Sequence, residues 1–159
     1  MSENRIAIFA DIQNIYYTTR AIYGRQFNYR KLWQKIANEG DITHAYAYAI
    51  HRGDEKQLKF QSALRHIGFD VKLKPYIQRS DGSAKGDWDV GITIDVLSTV
   101  KDVDTVILLS GDGDFDLLID KVKKTHHITA EVYGVRQLTA NSLIESASFY
   151  HEIGEDLLL

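Results

Sequence analysis

The sequence predicts an α/β fold in which a central, mostly parallel sheet is covered by helices on both faces. Three observations carry this expectation. Short apolar runs alternate along the chain with segments whose apolar residues recur at helical spacing. Thr105-Val106-Ile107-Leu108-Leu109 has almost no polar side chain, the pattern of a strand buried on both faces. The 159 residues suit one domain, taken as residues 1–159, with no repeat, low-complexity stretch or linker to divide them.

The elements follow in order. Residues 5–10 form an apolar run that ends in a polar turn, a buried strand. Residues 14–23 read as a helix closed by Gly24. Residues 29–38 read as another, with Leu32, Ile36 and Ala37 on one side and Gly40 past its end. Residues 42–50 are rich in β-branched and aromatic side chains and form a strand. Asp54 is placed to cap a helix running to Ile67, with Leu58, Ala63, Leu64 and Ile67 as its apolar contacts and Gly68 as its end. Residues 71–77 alternate as a strand, and Pro75, which lacks a backbone N–H, puts it at an edge or a strand end. Residues 78–86 are polar and contain glycine, the pattern of a mobile loop. Residues 88–100 and 114–124 are helices, and residues 128–135 a strand. A last helix spans 138–146, and a short strand follows near 150–153.

Composition narrows the function classes. With no cysteine, disulfides, thiolate zinc sites, iron–sulfur clusters and cysteine nucleophiles are excluded. No apolar run reaches the roughly 18 residues of a membrane helix. No signal peptide is visible, and a cytoplasmic protein is expected. The net charge of −3 hides an asymmetry: residues 1–79 carry a balance of +6, residues 80–159 one of −9, and ten aspartates lie between Asp81 and Asp120. That split suggests a carboxylate-rich site with a basic surface elsewhere. The cations available for such a surface include Arg20, Arg25, Arg30, Lys31, Arg52, Lys56 and Arg79.

In a parallel α/β sheet, ligands bind outside the carboxyl ends of the strands. Asp11-Ile12-Gln13-Asn14 follows the first strand, and Ser110-Gly111-Asp112-Gly113-Asp114 follows the strand 105–109. Helix capping and turn formation account for one such residue each, but Ser110, Asp112 and Asp114 together exceed what one cap needs. On a helical wheel, Val90, Ile92, Thr93, Ile94, Val96, Leu97 and Val100 share a broad face that includes Asp89, while Asp95 falls nearly opposite. An inward carboxylate at a helix start needs pairing, a hydrogen bond or a cation. Asp11, Asp89, Asp112 and Asp114 are thus candidate ligands for a hard cation, Mg²⁺ or Mn²⁺. Such an ion suits phosphodiester hydrolysis.

The motifs Phe9-Ala10-Asp11-Ile12-Gln13-Asn14, Lys85-Gly86-Asp87-Trp88-Asp89-Val90 with Asp95, and Leu109-Ser110-Gly111-Asp112-Gly113-Asp114-Phe115 appear in that order. With them the chain resembles the NYN domain, in its LabA-like branch, within the PIN-like nuclease superfamily. The resemblance covers nearly the whole length. It implies a three-layer α/β/α sandwich of PIN-like, Rossmann-like form and metal-dependent ribonuclease activity. By the resemblance Asp11, Asp89, Asp112 and Asp114 are metal ligands, with Asn14 and Ser110 supporting them by hydrogen bonds. Asp95 matches a family carboxylate and stays secondary because the wheel turns it away. Lys85 is secondary as the cation nearest the acidic motifs in sequence. The chain departs from the family pattern at Ala147-Ser148, where an Ala-Asp pair is common.

Other readings are weaker. The histidines show no ligand pair at helical spacing, and His126-His127 reads as an exposed loop pair. Ser110 lacks a Gly-x-Ser-x-Gly elbow, and Gly111 with Gly113 does not complete a dinucleotide loop. Tyr16 and Tyr17, about one turn from Asp11, belong to the core or stack on a base. The expected partner is RNA and not a membrane, with assembly into a homo-oligomer left open. The alternatives are a non-catalytic RNA- or protein-binding module on the same fold, and a phosphatase of small molecules.

Overall fold

The chain builds β1 (Arg5–Asp11), α1 (Ile12–Tyr23), α2 (Tyr29–Ala37), β2 (Asp41–His51), α3 (Glu55–Ile67), β3 (Asp70–Pro75), β4 (Ile77–Gln78) and β5 (Ala84–Lys85). It continues with α4 (Asp89–Thr99), β6 (Thr105–Leu109), α5 (Asp116–His126), β7 (Thr129–Gly134), α6 (Asn141–Ser146) and β8 (Phe149–Glu152). The structure is a computed structural model that describes residues 4–51, 53–75, 77–78, 84–85 and 87–159, with backbone alone at 75, 77–78 and 84–85.

Six strands form one sheet in the order β3-β2-β1-β6-β7-β8, and every pairing in it is parallel. Counting only these strands, the order is 3-2-1-4-5-6, the doubly wound arrangement. From β1 the chain winds outward through β2 and β3. It then crosses back to β6 on the other side of β1 and winds outward again. The reversal lies between β1 and β6, where neighbouring connections diverge and leave a crevice at the carboxyl ends.

Alternation along β1 creates two cores. Ile6, Ile8 and Ala10 face one side with Ile12 and Ile15 of α1, Leu32 and Ile36 of α2 and Leu64 of α3. Ala7 and Phe9 face the other with Ile92 and Val96 of α4, Ile119 and Val122 of α5 and Leu143 of α6. The result is the expected α/β/α sandwich, three helices to a face. Side-chain caps start the first three helices: Asp11, Asn28 and Asp54 accept from the amides of Asn14, Lys31 and Gln57.

Pro75 is the last residue of the outer strand β3, as its missing N–H requires. The expected strand 71–77 stops there, and Ile77–Gln78 pairs antiparallel with Ala84–Lys85 in a separate ribbon. The loop expected over 78–86 therefore includes strand residues at 78 and 84–85, while 79–83 and 86 lie outside the described residues. Residues 113–115 form a 3-10 turn before α5, so the helix begins later than expected.

Two helix faces differ from those expected: the apolar contacts named for α3 and the wheel drawn for α4. In α3, Gln61 and Leu64 are buried while Leu58 and Ala63 are exposed. In α4, Ile92, Val96 and Thr99 are buried, whereas Val90, Ile94 and Leu97 are 71%, 57% and 36% exposed. Asp95 turns toward the sheet. It accepts from the Tyr48 hydroxyl at 2.8 Å and from Lys72 Nζ at 2.7 Å. Apolar residues surround α4 on most sides, so hydrophobicity alone gives its orientation little direction. The half-buried Lys72 on β3 supplies the counter-charge that lets Asp95 face inward. Among the described residues, no helix is long and apolar enough to cross a membrane.

Candidate active site

β1 and β6 run side by side with Ala10 opposite Leu109, so Asp11 and Ser110 emerge together at the crevice. Asp11 is 8% exposed and Ser110 fully buried. The Ser110 hydroxyl donates to Asp11 Oδ2 at 3.2 Å and accepts from the Asp112 amide at 3.1 Å. Asp11 Oδ1 accepts the Asn14 amide at 3.5 Å, a long bond, while Asn14 Oδ1 accepts the Gly111 amide at 2.9 Å. The start of α1 and the loop after β6 are thus cross-linked. Gly111 passes so near the turn before α6 that a Cβ on it would lie 2.8 Å from the Leu138 carbonyl oxygen, which requires glycine.

The start of α4 is brought to the same edge by its anchor to β2 and β3. Trp88 Nε1 donates to the Ala49 carbonyl at 2.9 Å. Lys74 Nζ donates to the Asp87 carbonyl and lies 4.4 Å from the Trp88 ring centre. The ring folds back over Gly91, where a Cβ would come within 2.6 Å of it. Asp87 Oδ1 accepts the Asp89 amide at 3.2 Å and opens the helix.

Asp89, Asp112 and Asp114 consequently converge, each offering a carboxylate oxygen within 4.8 Å of the others. Asp112 also accepts the Asp114 amide at 2.9 Å, which shapes the 3-10 turn carrying both. Burial pushes the Asp11 carboxyl up to about 6, against the hydrogen bonds from Asn14 and Ser110, and the charges of Asp112 and Asp87 push the same way. Burial first, then a shared hydrogen bond with Asp112 and the charges of Asp112, Asp87 and Asp11, pushes Asp89 up to about 7. The site has more negative charge than its surroundings neutralise, the condition a divalent cation relieves. All its charged donors are carboxylate oxygens, a hard set suited to such an ion.

The other expected residues divide. Asp95 lies six residues beyond Asp89, about 9 Å along the helix, and its oxygens serve Tyr48 and Lys72. It is therefore neither outward nor a member of the cluster. Lys85 lies in β5, and its side chain is outside the described atoms. Ser148 Oγ accepts the Ala130 amide at 3.0 Å near the start of β7, away from the carboxyl edge, so it aligns strands there. Of the cations, Arg25 pairs with Glu155, Arg20 holds the Tyr16 hydroxyl, and Arg52 and Arg79 fall outside the described residues. His126 and His127 are exposed at the end of α5. Sequence reasoning passed over Asp87. Its place within the motif was visible, but its nearness to Asp11 depends on how Trp88 seats α4.

The NYN domain family model matches residues 5–154. This chain belongs to the NYN domain family. The protein "Low amplitude and bright protein LabA" of Synechococcus elongatus is 33% identical to it over 133 residues, 77% of this chain and 71% of that protein. A crystal structure of a protein of unknown function from Vibrio parahaemolyticus is similar over 99% of this chain and 97% of that one, with 49% identity and a TM-score of 0.94. Ribokinase from Giardia lamblia, 10% identical with a TM-score of 0.50 over 94% of this chain and 57% of that one, shares the fold alone. In this NYN domain Asp11 and the cluster of Asp89, Asp112 and Asp114 stand at the carboxyl edge of the sheet, around the reversal in strand order.

Proposed function

We propose that this NYN domain is a divalent-metal-dependent ribonuclease of the cytoplasm. The observation that carries the reading is the convergence of Asp89, Asp112 and Asp114 beside the buried Asp11, at the crevice of a doubly wound sheet. Mg²⁺ or Mn²⁺ is the fitting ion, held by Asp89, Asp112 and Asp114 with Asp11 against them. When bound, the ion supplies water activation and neutralises charge developing on the phosphate.

The chain's own groups prepare the site. Ser110 donates to Asp11, which favours its ionised form and fixes its orientation. The Asn14 amide oxygen holds the Gly111 amide, so the loop bearing Asp112 keeps its place relative to α1. The Asp112 carboxylate holds the Asp114 amide, which keeps two carboxylates on one tight turn. Trp88 fixes the approach of Asp89. Positive side chains of the first half of the chain hold the RNA backbone, where negative phosphates meet the +6 balance of residues 1–79.

The test is turnover of a labelled single-stranded RNA with Mn²⁺ or Mg²⁺, with chelator and Asp112→Asn as controls. Cleavage that requires both metal and Asp112 is the expected result. RNA bound without turnover under either metal makes the chain a binding module, and cleavage that survives chelator and Asp112→Asn overturns the assigned site.

A further inference from the structure

Beyond Asp11, on the α1 and α3 side of the sheet, a cleft of about 800 Å³ opens between these helices. Its volume lies in the range of sites that take small organic ligands. Ile12 and Gln13, the residues after Asp11, form one end, and Ala49 with Ile50 at the end of β2 form part of the base. The cleft thus begins one residue beyond Asp11, while Asp89, Asp112 and Asp114 lie outside its lining.

Its lining has two unusual features. At the rim, Tyr16 and Tyr17 are 50% and 70% exposed, offering aromatic faces to solvent. The Arg20 guanidinium bonds the Tyr16 hydroxyl and lies 5.8 Å from its ring centre, which holds that ring in place. At the floor, Tyr29 is 6% and Gln61 2% exposed. These two residues bring a hydroxyl and a side-chain amide to the floor of the cleft. A polar group at the floor of a cleft gains from a ligand that carries donors and acceptors to match it.

We propose that this cleft binds a nucleobase of single-stranded RNA, next to the phosphate held at the acidic crevice. It rests on the ribonuclease reading for the polymer, and on the cleft's own chemistry for the base. A nucleobase has both surfaces the cleft asks for: a flat π-face for a tyrosine and an edge of donors and acceptors for Gln61 and Tyr29. Arg20 and Lys56 line the walls and carry charge of the sign a flanking phosphate needs. A duplex, whose bases are stacked and paired, has no free base to insert.

The test is fluorescence anisotropy with labelled single-stranded RNA octamers of the four homopolymer sequences, in chelator so that no turnover occurs. Tyr17→Ala is expected to weaken every octamer about ten-fold, within the range a lost base stack produces, and Tyr17→Phe to restore binding. Gln61→Leu is expected to abolish the preference among the octamers with the free protein still folded, because leucine keeps the bulk of the side chain and removes the amide that reads the base edge. A second arm titrates nucleoside monophosphates and reads tyrosine fluorescence. If Tyr17→Ala and Gln61→Leu fold and bind all octamers as the wild type does, the cleft proposal falls and the ribonuclease reading stands. If the wild type binds mononucleotides through Tyr17 but no RNA, the cleft is a small-molecule site, and both the RNA-base proposal and the ribonuclease reading fall. A wild type that binds neither overturns both.

Discussion

The Ser110 hydroxyl donates to the Asp11 carboxylate across 3.2 Å, joining the ends of the two strands between which the sheet reverses. The same oxygen accepts the Asp112 amide, so one buried hydroxyl ties the Asp11 carboxylate to the backbone that carries Asp112. Ser110→Ala leaves that amide and a carboxylate oxygen without their partner. It should destabilise the fold by about 1–3 kcal/mol. It should also raise the Asp11 carboxyl further and weaken metal binding. Thermal denaturation and a calorimetric Mn²⁺ titration check both, and an unchanged Mn²⁺ affinity would refute the positioning role.

Asp112→Asn keeps the size of the side chain and its ability to accept the Asp114 amide. It removes one charge from a cluster that repels itself. The metal-free variant should therefore be as stable as the wild type or more so, while the rise in melting temperature caused by Mn²⁺ is lost. Scanning calorimetry with and without the metal reads both outcomes together. A metal-induced stabilisation equal to that of the wild type would place the ion elsewhere.

Acidity should stabilise the metal-free protein over the range where most carboxylate proteins gain nothing from it. The Asp11 and Asp89 carboxyls stand at about 6 and about 7, well above the usual value near 3.9 in an unfolded chain. Between about pH 4 and pH 7 the folded state therefore binds more protons than the unfolded state, and these two groups make stability fall as pH rises. Metal-free wild type should melt higher at pH 5.5 than at pH 7.5, and saturating Mn²⁺ should flatten or reverse that slope. Asp89→Asn should reduce the slope without metal; if it leaves the slope unchanged, Asp89 is not one of the groups responsible.

Asp95→Asn separates the structural carboxylate from the cluster. It strips Lys72 of its counter-charge in a half-buried setting and should cost roughly 1–3 kcal/mol. Mn²⁺ affinity should stay within about two-fold of the wild type, since Asp95 is two turns along α4 from Asp89. A loss of metal binding comparable to that of Asp112→Asn would return Asp95 to the site.

Much of this fold was legible because it is written in local patterns. The run Thr105–Leu109, with no polar face, could only be an interior strand, and it lies next to the central β1. Pro75 announced an edge through a missing donor. Gly24, in the left-handed region at φ 64°, ended α1 where the sequence placed it. The orientation of α4 was not legible. Apolar residues on most of its sides gave the wheel a broad face but no direction, and Val90 and Ile94 proved to be outside.

By itself, then, the amino-acid order determined which residues follow which strand: Asp11 after β1, and Ser110, Asp112 and Asp114 after β6. Strand alternation and helix capping are short-range effects, and they act within a few residues of each position. Only the tertiary structure decided that these segments meet, because the order β3-β2-β1-β6-β7-β8 sets β1 beside β6 although about a hundred residues separate Asp11 from Asp112. It also decided which of two aspartates on one helix joins them. Trp88, bonded to Ala49, seats the start of α4 so that Asp89 reaches the crevice, while Lys72, on a strand 23 residues earlier, draws Asp95 to itself. A charge turns toward its counter-charge wherever the fold puts it, and periodicity along one helix carries no record of where that is.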